Sequence, residues 1–341
     1  MLMPPLHGTV VIASYSGVLG GAERVLVDCA TRLPRPAVVA CPDGPLAEAV
    51  RAAGLAHEEI AGGTLRLRGN GALHGAALAR MAWEVGGLVH RRRPAALVAW
   101  SSRAALALAA IPRRPPLVSV LHDLHDGAVA AAVGAALRRA DAVVATSRAV
   151  AASLAPGAVI LHPGVDLAAF TPTPLPEGPP RALYLGALVP WKRPDLAIEI
   201  ARRMPELHLT LAGEPLPGEE IALDPPGNVT LAGRVEAAEA LAQAHVLLHC
   251  AGAEPFGLAL VEALACGRPV VAPAAAGPLE IVAAGCGRLY PPGDADAAVA
   301  ALRAVIADPE APAAARRRAE AFGVDASAAR MAAAIEAAIA R

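Results

Sequence analysis

The chain has 341 residues, with 30 Lys plus Arg against 31 Asp plus Glu and a formal net charge of -1, so no global positive field draws nucleic acid to it. Hydrophobic residues make up 55% and aromatics 3%. That Ala-, Val- and Leu-filled composition excludes disorder as the main state, and at roughly 100–200 residues per domain the length predicts two domains.

Taken in chain order, short β-branched runs alternate with Ala/Leu-rich helical stretches, the pattern of α/β domains whose parallel sheets are covered by helices. Strands are expected at Thr9–Ala13, Ala37–Ala40, Ala96–Ala99, Leu117–Leu121, Ala142–Thr146 and Val159–His162. Thr171–Pro180 then holds five prolines in ten residues, too many for a helix or a central strand, and reads as the interdomain linker. The alternation restarts with Arg181–Leu185, Leu207–Ala212, Val229–Leu231, Val246–His249, Pro269–Ala272 and Gly287–Leu289, so two doubly wound units in tandem are expected.

Arg138, Arg139, Asp141 and Arg148 break the longest Ala/Val stretch, which speaks against a spanning helix. The start, MLMPPLHGTVVIAS, lacks the positive region of a secretory signal. Cys29, Cys41, Cys250, Cys266 and Cys286 lie far apart without a C-x-x-C pair, so reduced thiols and a cytoplasmic location are expected. Residues 1–176 carry 16 basic and 11 acidic side chains, a surplus of +5, and the remainder carries -6. The basic surplus includes Arg66, Arg68, His90, Arg91, Arg92, Arg93, Arg113 and Arg114, a set that fits either solvated helix ends or contact with an anionic membrane surface or acidic acceptor.

No G-x-G-x-x-G follows a strand and no G-x-x-x-x-G-K-[ST] occurs, which removes the usual dinucleotide and ATP cradles. A different Gly-rich turn, Gly17–Glu23, joins the first strand to the first helix. Gly20 and Gly21 would expose backbone N–H groups to a phosphate there, although a tight strand-to-helix connection needs glycines without any ligand. Lys192, in LYLGALVPWKRP, is the only lysine in the chain. Where every other cation is Arg or His, a compact ammonium on a flexible stem suggests a site that neutralises a diphosphate. In EPFGLALVE, Glu254 and Glu262 stand eight positions apart while Pro255 and Gly257 open a helix. A start near Phe256 would leave the N–H groups of Phe256, Gly257 and Leu258 free for phosphate, with one carboxylate for sugar hydroxyls and the other for ribose. The run HDLHD brings His122, Asp123, His125 and Asp126 together, but polar strand-end loops are common and no metal site is expected; His245 and His249 straddle a helix-to-strand join where i, i+4 ligand geometry fails.

These residues carry a family resemblance. GGAE at Gly20–Glu23, HD at His122 and Asp123, ADAVVATS at Ala140–Ser147, HPGVDLAAFTP at His162–Pro172, LGALVPWKRPDLAI at Leu185–Ile198, the paired glutamates, GPLEIV at Gly277–Val282 and GRLYPPGD at Gly287–Asp294 together resemble a retaining glycosyltransferase of family 4, also called glycosyl transferases group 1. The resemblance covers nearly the whole chain. It implies the GT-B architecture of two Rossmann-like domains facing across a cleft: an acceptor-binding domain over 1–172, a nucleotide-sugar-binding domain over 180–322, and a helix over 323–341 that crosses back to the first domain. It further implies that Lys192 binds the donor diphosphate, Glu254 orients the transferred sugar and Glu262 holds the ribose. Gly21 would supply backbone contacts and His122 would lie near the reacting centre. Where the family has Arg two residues after the strand, this chain has Ala187, leaving the diphosphate to Lys192 with Arg193, Arg24 or Arg103 as helpers.

The implied reaction moves a hexose-type sugar from a nucleotide diphosphate donor to an acceptor hydroxyl, with no cofactor beyond that co-substrate and no metal. Two rivals share the scaffold: a nucleotide-sugar epimerase, which needs acid–base pairs around C2, and a donor-binding protein without turnover, suggested by Ala187. The acceptor loop Gly62–His74 carries no readable code. The last segment, Asp325–Arg341, places Met331, Ile335 and Ile339 on one helical face and needs an apolar partner.

Overall fold

The computed structural model describes residues 8–61 and 71–341, the latter without the side chains of 71–74; Arg66, Arg68 and positions 62–70 of the expected acceptor loop fall outside the described residues. The chain divides into two compact units, Met1–Pro163 together with Val324–Arg341, and Gly164–Gly323.

The first unit alternates β1 (Val10–Ala13), α1 (Gly21–Ala30), β2 (Ala37–Cys41), α2 (Pro45–Ala52), β3 (Ala56–Glu59), α3 (Gly71–Arg92), β4 (Ala96–Trp100), α4 (Ser102–Leu108), β5 (Leu117–Leu121), α5 (Gly127–Leu137), β6 (Ala142–Ala145), α6 (Arg148–Leu154) and β7 (Val159–Ile160). Its seven strands pair in parallel in the order β3-β2-β1-β4-β5-β6-β7, reversing direction across the sheet between β1 and β4. VVIA, AVVAC, ALVAW and LVSVL are buried at every position, as strands with helices on both faces require. The expected list omits β3. AHEE has neither alternation nor β-branched residues, and it is a strand because Ala56–Glu59 finds the open edge of β2.

In the second unit come β8 (Arg181–Leu185), α7 (Pro194–Arg202), β9 (His208–Ala212), β10 (Val229–Gly233), α8 (Ala237–Ala242), β11 (Val246–Leu248), α9 (Leu258–Ala265), β12 (Val270–Pro273), α10 (Pro278–Ile281), β13 (Gly287–Tyr290), α11 (Ala295–Ile306) and α12 (Ala311–Ala319). Its six-stranded parallel sheet runs β10-β9-β8-β11-β12-β13, with the same reversal between β8 and β11. Both units are Rossmann-like. The first carries 18 basic and 12 acidic residues, the second 12 basic and 19 acidic.

The proline-rich stretch Thr171–Pro180 lies inside the second unit rather than between the two. Arg268, 1% exposed, donates to the carbonyls of Thr173 and Pro174 at 2.8 and 3.0 Å and to Thr173 Oγ1 at 2.6 Å, while Arg316 donates to Phe170 O at 2.9 Å. Val165 also bridges to Gly323, with its N–H on Phe322 O at 2.9 Å. The buried Arg268 guanidinium fastens the start of the proline-rich stretch, and the chain passes between units at Pro163/Gly164 and Gly323/Val324.

The final helix, α13 (Val324–Ile339), packs within the first unit against α1, β4, β5 and β6. Met331 and Ile335 are buried and Ile339 is half-buried. Arg35 reaches Glu336 with two bonds of 2.6 and 2.7 Å, the bidentate geometry that suits guanidinium and carboxylate. Among the described residues no helix is long and apolar enough to cross a membrane, and all five cysteines are buried and unbridged.

Candidate functional site

In the second unit the sequence-predicted residues gather at the carboxyl ends of β8 and β11, on either side of the strand-order reversal, where doubly wound sheets bind ligands. Beyond β8 the chain makes a one-turn 3-10 helix, Pro190–Lys192, and Arg193 takes a left-handed backbone (φ 57°, ψ 49°) before α7. That sharp change of direction presents Lys192, whose ammonium pairs with the Glu254 carboxylate. Glu254 stands in the loop after β11 and is 8% exposed; Glu262, in α9, is 7% exposed.

The helix bearing Glu262 starts later than expected. It begins at Leu258, with Gly257 as a left-handed N-cap (φ 107°, ψ 63°), so Phe256 does not offer its N–H as part of the helix end. Pro255 disfavours helical backbone at the residue before it, and the Phe256 ring is drawn into the core, 4% exposed and edge-on to Phe322 at 6.0 Å. Gly277 covers this loop from above. Its N–H donates to Glu254 O at 2.9 Å, and a Cβ there would fall 2.2 Å from Phe256 O, so only glycine permits the approach.

Three residues not nominated from the sequence complete this half-site. His249, 7% exposed, places Nε2 3.3 Å from Glu254 Oε2, out of line for a hydrogen bond. The Tyr290 hydroxyl donates to His249 O at 2.8 Å, and the Tyr184 hydroxyl donates to Ala187 O at 3.1 Å and Lys192 O at 3.3 Å. The tyrosines were legible only as apolar strand positions. The signal for His249 was a histidine at the end of an otherwise apolar strand, and it stands apart from His245, whose Nδ1 accepts from Arg181 N–H at 3.1 Å.

Burial drives the Glu254 carboxyl upward, but the adjacent Lys192 ammonium and the His249 imidazole outweigh it and hold the group down at about 2. Glu254 is therefore a fixed carboxylate near neutrality, able to accept hydrogen bonds and unable to serve as a proton donor. Burial pushes both tyrosine phenols up, so they stay neutral donors, and it raises the Cys250 thiol to about 12. Arg193 is engaged with Asp195 at 2.9 and 3.0 Å, which leaves Lys192 as the cation facing Glu254. Ala187 contributes its carbonyl to Tyr184 and no charge.

In the first unit, Gly20, Gly21 and His122 also come together. Gly20 caps α1, but its N–H is not free for phosphate as expected: it donates to Glu23 Oε2 at 3.1 Å, a carboxylate reaching back from the first helical turn. Trp100, at the end of β4, donates its indole N–H to Ala22 O at 2.9 Å and lies 5.6 Å from the His122 ring at a 42° tilt. The three strand ends are thereby tied. Burial raises the Glu23 carboxyl, with His122 opposing the rise. In HDLHD, His125 Nε2 is 3.9 Å from Asp123 Oδ2, and among the described residues no three His, Cys, Asp or Glu side chains are grouped to hold a metal. Of the basic surplus, Arg92 pairs with Glu58, and Arg114 with Asp141 at 2.8 Å.

Comparison with known proteins agrees with this architecture. Residues 19–169 match the family described as Glycosyltransferase Family 4, and residues 168–322 match Glycosyl transferases group 1. A D-inositol 3-phosphate glycosyltransferase of Mycolicibacterium gilvum is 35% identical over 147 residues, 36% of this chain and 33% of that protein. A phosphatidyl-myo-inositol mannosyltransferase of Mycolicibacterium smegmatis is 35% identical over 173 residues, 46% of this chain and 45% of that protein. The matched region thus spans between a third and a half of these relatives. Among solved structures, Anabaena Alr3699/HepE in complex with UDP and glucose superposes with a TM-score of 0.81 at 23% identity, over 97% of this chain and all of that one. The apo lipopolysaccharide outer core galactosyltransferase WaaB gives 0.73 at 18%, over 96% and 99%. With one family covering its first half, the other its second, and two Rossmann-like units throughout, the chain belongs to the GT-B glycosyltransferases.

Proposed function

We propose that this chain transfers a hexose-type sugar from a nucleoside diphosphate sugar to an acceptor hydroxyl with retention of anomeric configuration. The observation that carries the proposal is the pairing of buried Glu254 with half-buried Lys192 at the strand-order reversal of the second unit. A nucleotide sugar offers what each member lacks on separation: diphosphate oxygens for the ammonium, and sugar hydroxyls for a carboxylate that stays ionised. Glu262 would take the ribose hydroxyls, Leu258 at the start of α9 and Gly21 on α1 would add backbone donors, and His122 would lie near the sugar. The leaving phosphate would accept the acceptor's proton on the face it vacates, so the protein chiefly positions the reactants and stabilises charge. The UDP-glucose complex of Alr3699/HepE supports a nucleotide-sugar donor by fold likeness.

In this proposal the countercharge is Lys192, with neither metal nor resident cofactor, and turnover should be indifferent to a chelator. The proposal extends to a cytoplasmic location, with His90, Arg91, Arg93 and Arg113 meeting the inner face of an anionic membrane; co-flotation with vesicles tests this. An epimerase would need an acid–base pair around C2 of the sugar, and Glu254, its carboxyl held at about 2, does not serve as the acid of such a pair.

The test is a thermal-shift panel of UDP, GDP and ADP sugars followed by product analysis. Glu254→Gln should keep the fold and donor shift but cut turnover by about two to three orders of magnitude. Wild-type turnover in that variant removes Glu254 from the site, an inverted product ends the retaining assignment, and solvent hydrogen at C2 of the donor sugar favours epimerisation.

A further inference from the structure

Among the described residues of the second unit, His249 Nε2 is the only buried side-chain polar atom without a hydrogen bond. Buried polar atoms are ordinarily satisfied, and this one lies 3.3 Å from Glu254 Oε2, the same oxygen that pairs with the Lys192 ammonium. The main chain of His249 is held from two sides: its N–H donates to Val271 O on β12 at 2.8 Å, and its carbonyl accepts from the Tyr290 hydroxyl at the end of β13 at 2.8 Å. Glu254 is fixed at its own carbonyl, which accepts from Gly277 N–H at 2.9 Å. The movable part is the carboxylate, and bringing it into an aligned bond of about 2.9 Å needs a shift of about 0.4 Å. Lys192 is held less firmly, its side chain 28% exposed on a one-turn 3-10 helix.

If Lys192 binds the diphosphate, it must leave Glu254, and a buried carboxylate stripped of its cation is costly unless another donor replaces it. Burial raises the Glu254 carboxyl while Lys192 and then His249 bring it down, so the imidazole is the second group already acting on that charge. The Tyr184 and Tyr290 hydroxyls are committed to main-chain carbonyls, and Arg193 is engaged with Asp195.

We propose that His249 is a positioning residue for the transfer: as a nucleoside diphosphate sugar draws the Lys192 ammonium onto its phosphates, His249 donates from Nε2 to Glu254 Oε2 and keeps that carboxylate aimed at the sugar. This exchange of partners rests on the glycosyltransferase reading of Lys192 and Glu254; the close approach of His249 to the carboxylate does not.

Turnover of the full chain is measured as release of nucleoside diphosphate from UDP-glucose, GDP-mannose and ADP-glucose, whether the sugar goes to an acceptor or to water. His249→Leu should lower kcat about tenfold or more and leave the donor KM within about twofold. The melting temperature of the ligand-free variant should hold, because leucine removes an orphan rather than a made bond. His249→Gln, whose amide nitrogen can donate in place of Nε2, should recover most of the lost turnover. In a Glu254→Gln background His249→Leu should cost nothing further, since the two residues act as a unit. The hand-over is overturned if His249→Gln falls as far as His249→Leu, if the losses add in the Glu254→Gln background, or if melting temperature and donor KM worsen together with kcat, which would make His249 a packing residue. Wild-type turnover that His249→Leu leaves untouched overturns the hand-over alone, whereas a wild-type chain that releases diphosphate from none of the three donors overturns the glycosyltransferase reading and the hand-over with it.

Discussion

The Lys192–Glu254 pair makes a quantitative prediction about the empty protein. Glu254 is buried and its carboxyl is held at about 2 against an ordinary value of 4.5, a shift equivalent to about 3 kcal/mol of folding free energy at neutral pH. A double-mutant cycle with Lys192→Met and Glu254→Gln isolates the pair. Lys192→Met alone leaves a buried carboxylate with only His249 beside it and should destabilise the second unit by about 3 kcal/mol, the low end for breaking a buried ion pair. Glu254→Gln strands the ammonium less severely, because the Lys192 side chain is 28% exposed and can turn to water. The double variant should recover most of the loss, giving a coupling of about 2–3 kcal/mol. Because the folded-state value is depressed, the contribution is complete above the ordinary 4.5 and is lost as pH falls towards 2; about half should remain at pH 3. Urea unfolding followed by tryptophan fluorescence and circular dichroism, compared across the four members of the cycle, identifies the second unit's transition as the one that shifts. A coupling under about 0.5 kcal/mol, or one that grows as the pH falls, would refute the reasoning.

Gly277→Ala drives a Cβ to 2.2 Å from Phe256 O and 2.4 Å from Phe256 Cα, so calorimetry should show a melting temperature lower by several degrees and donor shifts should vanish; Gly227→Ala, with nothing within 4 Å, is the control and should be neutral. Truncation after Gly323 removes Met331 and Ile335 from the first unit's core together with the Glu336 partner of Arg35, so the first unit should bind a hydrophobic dye while the second keeps its unfolding transition. Two intact transitions would show that α13 is dispensable. Burial pushes the thiols of Cys29, Cys41 and Cys250 up to about 12 and Cys266 to about 11, so a thiol reagent at pH 8 should find no reactive cysteine until the chain is unfolded, when all five should react. One rapidly titrating native thiol contradicts the packing.

The buried strands were legible because both faces of a parallel sheet are covered, which turns VVIA, AVVAC and ALVAW into unbroken apolar runs between helical stretches. β3 was not, since AHEE is an edge segment selected by its neighbour's free hydrogen-bonding groups rather than by its own side chains. The prolines of Thr171–Pro180 read as a boundary because proline marks the absence of regular structure; it says nothing of what the segment rests on, and the guanidinium that fastens it, Arg268, lies 95 residues away from Thr173. In the site, Lys192 and Glu254 were visible as anomalies of composition and spacing. Glu23 reversing onto Gly20, and Tyr184 and Tyr290 holding carbonyls of the loops, are relations between backbone atoms and side chains that no residue type announces.

The unequal division of charge has a consequence for encounter. The second unit, which holds the proposed diphosphate site, carries 19 acidic residues against 12 basic and the chain as a whole is -1, so no long-range field draws a multiply charged anion to that site. Attraction by Lys192 operates only at close range, after the ligand has come inside the roughly 8 Å screening length of physiological salt. Added salt should then leave donor association unslowed or quicken it, the reverse of an electrostatically steered enzyme, and arrival would be set by diffusion and local concentration while selectivity resides in how slowly a well-matched ligand departs.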